Sequence, residues 1–295
     1  MTISGLQTEA LAERIKRFAT QRVATSAGQI EFRQAGVAVA VTHVLLHGIG
    51  SGSANWLQQF EAADGNTSVR VLAWEAPGYG ASAPVSPERP DAGDYAQRLW
   101  VWLDAMQVSL PVTLVGHSLG ALMAARAATQ RPGQIAKLVL LAPAQGYARA
   151  TSQERQKKLD DRLGALATLG LQGLAQKRAA AMLSPQAGLE KLQYLQSSMA
   201  QLHIEGYTQA IHLLAGGDLL TDLAQLSCPV AVASGTADTI TAPESCQRVA
   251  ATAGVQWTDL GHTGHACAVD AAARVNALLG LIAGHDIPDT LKASL

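Results

Sequence analysis

Val112-Thr113-Leu114-Val115-Gly116-His117-Ser118-Leu119-Gly120-Ala121 decides how this chain is read. A β-branched apolar run, Val112 to Val115, meets a Gly-x-Ser-x-Gly pattern at Gly116 to Gly120. An Ala-rich stretch with strong helix propensity continues to Ala128. Strand, sharp turn and helix in that order are the context in which the pattern marks a nucleophile elbow. Such a turn predicts a strained backbone with φ > 0 at Ser118, which lifts the hydroxyl clear of the sheet. Glycines on both sides supply the room the turn needs. A glycine-rich β–α connection with an incidental serine would carry the same five residues. The strand before and the helix after decide against it.

Outward from the elbow, the same alternation repeats. Arg22-Val23-Ala24-Thr25 and Gln29-Ile30-Glu31-Phe32-Arg33 are amphipathic and read as an antiparallel edge pair. Val41 to Leu46 is nearly all apolar, as expected of a strand covered on both faces. Further buried strands are predicted at Val69–Trp74, Val112–Val115, Ile135–Leu141 and Pro229–Ser234, with a shorter one at Val255–Leu260. Helical patterns over 53–63, 93–107, 119–131, 243–253 and 266–283 separate most of them. This predicts an α/β fold with a mostly parallel eight-stranded sheet and helices on both faces. The rhythm breaks once. From Ser152 to Leu226 there is no convincing strand, only Leu, Ala, Gln, Lys and Arg punctuated by Gly164, Gly170, Gly173, Pro185, Gly188 and Gly206. These are short helices inserted after the sixth strand. The expectation is a helical cap over residues 147–226 on a core domain formed by 1–146 and 227–295.

Bulk properties narrow the partners. In 295 residues, apolar side chains make up 48% and charged ones 15%, which suits a compact enzyme with a large core. The net charge of −1, without a basic run, argues against nucleic acid or an anionic membrane as partner, and the partner expected is a small-molecule substrate. Cys228, Cys246 and Cys267 are odd in number and widely spaced, so a disulfide framework is not expected and a reducing cytoplasm fits. Glu9 and Glu13 interrupt the place where a signal peptide would be apolar. The N-terminus reads instead as a short amphipathic helix with Leu6, Ala10, Ile15 and Phe18 loosely on one side. No apolar run reaches the roughly 18–20 residues of a membrane span. Nothing in the sequence points to an oligomeric state.

A serine hydroxyl is a poor nucleophile near neutral pH and needs a base within hydrogen-bond reach, itself oriented by an acid. On a sheet of this kind the order along the chain is Ser, then Asp or Glu, then His. Asp238 follows the strand Pro229–Ser234 in Ser234-Gly235-Thr236-Ala237-Asp238. His265 lies in Gly261-His262-Thr263-Gly264-His265-Ala266, after the last strand. Carboxyl ends of strands are where open parallel sheets place their ligands. Asp218, Asp222 and Asp259 follow no strand in the right order and read as surface or cap residues.

Five motifs in order, Leu46-His47-Gly48-Ile49-Gly50, Glu75-Ala76-Pro77-Gly78-Tyr79-Gly80-Ala81-Ser82, the elbow, the Asp238 loop and the His265 loop, resemble those of the α/β-hydrolase superfamily. The resemblance covers nearly the whole chain. It implies Ser118 as nucleophile, His265 as general base and acid, and Asp238 as the orienting carboxylate. Of the two histidines in the last loop, His265 is favoured over His262 because Gly264-His265-Ala266 immediately precedes the helical run Ala268–Ala283. The resemblance also implies an oxyanion hole from the backbone N–H groups of Ile49 and Leu119, donors worth on the order of 3 kcal/mol each. Two positions depart from the family pattern. Ala121 stands where many relatives have glycine, and Glu75 where many have Asp. A serine at 118 argues against the haloalkane dehalogenase and epoxide hydrolase branches, which use an aspartate.

His47 reads as a brace of the oxyanion turn and His117 as a local packing residue. His43 and His47 share no zinc-binding helical face. His262, His265 and Cys267 lack an acidic or cysteine cluster to complete a metal site, so neither metal nor cofactor is expected. Gly48, Trp56, Met123 and Tyr147 are candidates for contact with substrate, with Tyr207 as a further pocket residue; plain core packing competes for the large ones. Leu166, Leu169, Leu171, Met182, Leu183 and Met199 suit either a largely apolar pocket wall or the cap's own core. The reading is a cofactor-free serine hydrolase acting on a small, largely apolar carboxylic ester, thioester or lactone through an acyl-enzyme. A C–C bond hydrolase of ring-cleavage products, faintly suggested by Gly50-Ser51-Gly52-Ser53-Ala54-Asn55-Trp56, is the alternative. A slow-turnover ligand receptor is a third.

Overall fold

The structure is a computed structural model, and it describes residues 13–282. All eight strands predicted from the sequence are present: β1 (Gln21–Val23), β2 (Ile30–Ala35), β3 (His43–Leu46), β4 (Val71–Trp74), β5 (Val112–His117), β6 (Ile135–Leu141), β7 (Val230–Ser234) and β8 (Trp257–Asp259). They form one sheet in the order β1-β2-β4-β3-β5-β6-β7-β8. The β1–β2 and β2–β4 pairs are antiparallel and every later pair is parallel. Period-two alternation explains the layering. Val44, Leu46, Leu114, Leu138 and Val232 enter the core on one face, and Leu45, Val115, Val139 and Ala233 enter the core on the other. Both faces are covered by helices, which is why the central strands read as unbroken apolar runs.

Helix boundaries differ from the expectation in two places. The 53–63 segment begins as a 3₁₀ turn, Ser53–Trp56, before the helix Leu57–Ala63. The 266–283 run divides into Cys267–Asp270 and Ala272–Leu278, with Ala271 off helical geometry at φ −120°, ψ 38°. There the Asp270 carboxylate turns inward to accept the N–H groups of Gly264 and Ser184, both at 2.9 Å, and pins the short first turn to neighbouring loops. Of the N-terminal helix, Leu6 and Ala10 lie outside the described residues. Residues 13–16 are helical, and Phe18 packs its ring 5.5 Å from that of Phe60.

Between β6 and β7 the chain forms helices at Ser152–Arg178, Leu189–Ala200, Ile204–Gly216 and Leu219–Leu223. Thr151 and Glu154 close a reciprocal capping box at the first start. Gly170, at φ 60° and ψ −178°, breaks the first helix into two legs, a conformation open essentially to glycine alone. Leu166, Leu174, Tyr207 and Ile211 bury one another in a small cluster belonging to this segment. Asp222, expected at the surface or in a cap, is only 2% exposed and pairs with Arg126 at 2.8 Å. It ties the segment to the helix Leu119–Gln130 of the sheet layer. Among the described residues, no helix is long and apolar enough to cross a membrane.

Candidate active site

Ser118 joins β5 to the helix Leu119–Gln130 with φ 51° and ψ −113°, the positive φ that the motif predicts. Its N–H donates to Leu141 O at 2.9 Å, so β6 holds the turn from the side. The flanking glycines are required by contact. A Cβ on Gly116 would lie 2.5 Å from Gly120 O, and one on Gly120 would lie 2.4 Å from Leu46 O. Backbone atoms cannot retreat as a side-chain tip can, so the helix packs this close to β3 only without side chains there.

The loops after β7 and β8 bring two further groups to Ser118. His265 Nε2 lies 2.9 Å from Ser118 Oγ, and His265 Nδ1 lies 2.9 Å from Asp238 Oδ2. All three residues are nearly withdrawn from solvent, at 6%, 3% and 3% exposure for Ser118, His265 and Asp238. Asp238 Oδ1 accepts the N–H groups of Ile240 and Thr241, and Oδ2 also accepts the Thr241 hydroxyl at 2.7 Å. Burial alone would push this carboxyl up. The bonds from His265 and Thr241 outweigh it and hold Asp238 below the usual carboxylate range. An ionised Asp238 can only accept, so Nδ1 of His265 carries the proton and Nε2 is left as the acceptor facing the serine. His262, three residues earlier, is exposed and borders a separate depression with Thr263 and Arg274.

Two neutral imidazoles frame this series. His117 Nε2 donates to the carbonyl of His265 at 2.8 Å and fixes that backbone. Burial, and then the nearby His265 ring, push His117 down to about 3. His47 Nδ1 donates to Gly48 O and its Nε2 accepts the N–H of Ala76, both at 2.9 Å. Burial pushes it down to about 4. His47 thereby clamps the turn that carries Gly48 and Ile49, while the Tyr79 hydroxyl donates to Ile49 O at 2.9 Å and sets the plane of that peptide. Glu75 braces the next loop. Its carboxylate accepts the N–H of Ser53 at 3.1 Å and the Ser53 hydroxyl. Burial pushes Glu75 up to about 7 against those bonds.

Ser118 and His265 open into a cavity of about 380 Å³ between the sheet and the helical segment. Gly48, Ile49 and Leu119 line it beside the serine, and Tyr147 and Tyr207 line it from the other side. Trp56 and Met123 do not. Each is 1% exposed: Trp56 packs behind the site, edge-on to the His117 ring at 6.4 Å, and Met123 sits in the core under the sheet. Their expected contact with substrate gives way to packing, because their helices turn these faces inward. Met182 and Met199 line the cavity, Leu166 belongs to the segment's own cluster, and Leu183 packs on the sheet side. Leu169 is 38% exposed.

The sequence reading missed Thr241, Arg162 and Arg178. Thr241 carried a faint signal, since an Asp side chain commonly closes a local turn by accepting backbone N–H groups a few residues on, as Asp238 does from Ile240 and Thr241. The two arginines carried none, because they stand among other charged residues on what reads as a solvated helix. Among the described residues, no three of His, Cys, Asp or Glu converge as metal ligands would.

Residues 44–278 match the sequence profile of the alpha/beta hydrolase family. RutD of Klebsiella pneumoniae (strain 342), for which a carbamate hydrolase activity has been put forward, is 29% identical over 246 residues, covering 80% of this chain and 88% of that protein. The 3-oxoadipate enol-lactonase 2 of Acinetobacter baylyi is 26% identical over 202 residues, 67% of this chain and 72% of that one. Among solved structures, a thermophilic esterase from Thermogutta terrifontis superposes with a TM-score of 0.75 at 20% identity, over 89% of this chain and 97% of the esterase. At that identity the likeness speaks to the fold alone.

Proposed function

The chain belongs to the alpha/beta hydrolase family, and from that premise we propose that it is a serine hydrolase cleaving small carboxylic esters, thioesters or lactones through an acyl-enzyme on Ser118. The observation that carries the reading is the unbroken series Ser118 Oγ, His265 Nε2, His265 Nδ1, Asp238 Oδ2, with 2.9 Å at each contact and a cavity at its open end. Among the relatives, an enol-lactonase acts on a bond of this class, and a carbamate hydrolase activity put forward for another also concerns a small carbonyl compound.

In the first half-reaction His265 Nε2 takes the Ser118 proton as Oγ bonds to the substrate's carbonyl carbon. The carbonyl oxygen becomes an oxyanion held by the N–H groups of Ile49 and Leu119. Collapse breaks the bond from the carbonyl carbon to the leaving oxygen or sulfur, which receives the proton from His265. In a lactone the leaving oxygen stays tethered to the acyl chain. Water then enters, gives a proton to His265 and adds to the acyl carbon. Ser118 Oγ leaves with that proton, and the acid product is released. Asp238 remains ionised throughout and stabilises the imidazolium formed in each half. Residues 147–226 serve as a cap that shapes the pocket and take no proton.

Intact-mass measurement after treatment with a phosphonate or a sulfonyl fluoride tests the assignment. One adduct is expected on the wild type and none on Ser118→Ala, whose kcat on 4-nitrophenyl esters should fall by about 10⁴-fold or more. Labelling elsewhere, with the variant still active, would sink it.

A further inference from the structure

The sequence of the helical segment suggests an apolar wall, yet the structure puts two guanidinium groups in it. Arg162 and Arg178 both line the cavity that holds Ser118 and His265, and among the described residues no Asp or Glu lines it with them. Each is steered by one phenol: Arg162 Nη2 donates to Tyr147 Oη and Arg178 Nη1 to Tyr207 Oη, both at 3.1 Å. A guanidinium has five N–H donors, so each fork keeps most of its capacity for another acceptor. Among the described residues, neither arginine has a carboxylate partner.

Their convergence is built into the backbone. The two arginines are 16 positions apart in sequence, which on a straight helix would separate them by about 24 Å along the axis. Gly170 stands between them, and its φ of 60° turns the chain so that one leg brings Arg162 and the other Arg178 to the same cavity. A second depression adjoins at the same pair. Tyr147, Arg162 and Arg178 are shared, and Lys158, Lys177 and Asp161 complete its charged rim, with Asp161 taken by Lys157 at 2.6 Å. Ser118 lines only the inner cavity. The two adjoining depressions thus concentrate positive charge on a chain whose net charge is −1. A cleft of one sign raises the local concentration of the opposite ion and steers it inward.

We propose that the substrate carries a carboxylate, held by Arg162 and Arg178, so that the preferred ester or lactone has a free acid group besides the bond that is cleaved. This rests on the hydrolase reading for the reaction but on the arginines alone for the anion. A planar fork matches the two oxygens of a carboxylate, and the apolar stretch beside Met182 and Met199 suits the short chain joining it to the reacting carbonyl.

The test compares the 4-nitrophenyl half-ester of adipate with 4-nitrophenyl hexanoate. The wild type should favour the half-ester in kcat/KM by about tenfold or more, less so at high salt. That ratio should fall about tenfold in Arg162→Gln and in Arg178→Gln, and further in the double variant, while Arg→Lys at either position restores part of it. Melting curves check that each variant is folded, and the Lys variants keep the test decisive if a Gln variant is not. A wild-type preference for the neutral ester, unchanged in the variants, overturns the proposal and leaves the hydrolase reading standing. Calorimetric titration of adipate and of inorganic phosphate into the Ser118→Ala protein separates the two ideas. Arginine-dependent adipate binding without turnover of any ester supports the anion site and removes the hydrolase reading. Adipate binding that is absent or indifferent to the arginines, or binding of phosphate alone, overturns the proposal whatever the turnover.

Discussion

Replacing Asp238 by Asn exchanges one oxygen for an NH₂ group in a position where both oxygens already accept. Oδ1 faces the N–H groups of Ile240 and Thr241 at 2.7 and 2.9 Å, so an NH₂ there would meet two backbone donors that cannot turn away. Oδ2 faces the Thr241 hydroxyl and His265 Nδ1 at 2.7 and 2.9 Å. The hydroxyl can redirect its proton to Ala142 O, 3.1 Å away, and accept instead. The new amide therefore settles with its nitrogen toward His265 and donates to Nδ1. The imidazole proton moves to Nε2, which can no longer accept the proton of Ser118. Loss of the correct tautomer is expected to lower kcat by about 10⁴-fold, or about 5 kcal/mol at 1.36 kcal/mol per decade. Melting should change little, because the loop keeps its hydrogen bonds. Stopped-flow measurement of the acylation rate with a 4-nitrophenyl ester, beside a melting curve, is the assay. A folded Asp238→Asn protein that acylates within about tenfold of the wild type would falsify the role given to Asp238.

Glu75 sits at about 7 against an ordinary value of 4.5, so the folded protein keeps a proton that the unfolded chain loses as pH rises between those values. Stability should therefore fall across that window by about 3 kcal/mol and level off above it, whereas Glu75→Gln should lack this component; denaturant titrations from pH 4 to 8 read the difference, and parallel curves for the two proteins would refute it. Gly120→Ala places a methyl 2.4 Å from Leu46 O, and it should cost about 1–3 kcal/mol in unfolding experiments and lower activity by shifting Ser118; an unchanged midpoint with full activity contradicts the packing argument. His265→Ala should abolish acylation nearly as fully as Ser118→Ala, while His262→Ala keeps most activity because its ring is exposed and borders a different depression; the reverse pattern in a single-turnover assay would move the base to His262.

What the sequence determined by itself was local or repetitive in origin. The turn at Ser118 was legible because a Gly-x-Ser-x-Gly pattern between a strand run and a helix run is itself a short stretch. Gly116 clears Gly120 O four residues on, although the close approach to Leu46 that Gly120 permits came only with the fold. The sheet was legible because short, unbroken apolar runs such as Val44–Leu46 and Leu138–Leu141, bounded by turn residues, read as strands buried on both faces. Chain order then pointed to Asp238 and His265, since strand ends converge on one edge of a parallel sheet. The tertiary structure alone decided matters that turn on which distant surfaces meet. Trp56 and Met123 carry the same chemistry as pocket residues, and only the orientation of their helices against the sheet makes them core. Asp222 read as a surface or cap acid, and only the fold brought Arg126 against it and buried it. Thr241 mattered only once Asp238 and His265 were both beside it. Arg162 and Arg178 show the limit most clearly, because a charged residue on a helix reads as solvated unless a break such as Gly170 turns its side of the helix inward. Local sterics and periodicity are written in neighbouring residues. The content of a cavity is set by long-range packing, which no short window of the sequence contains.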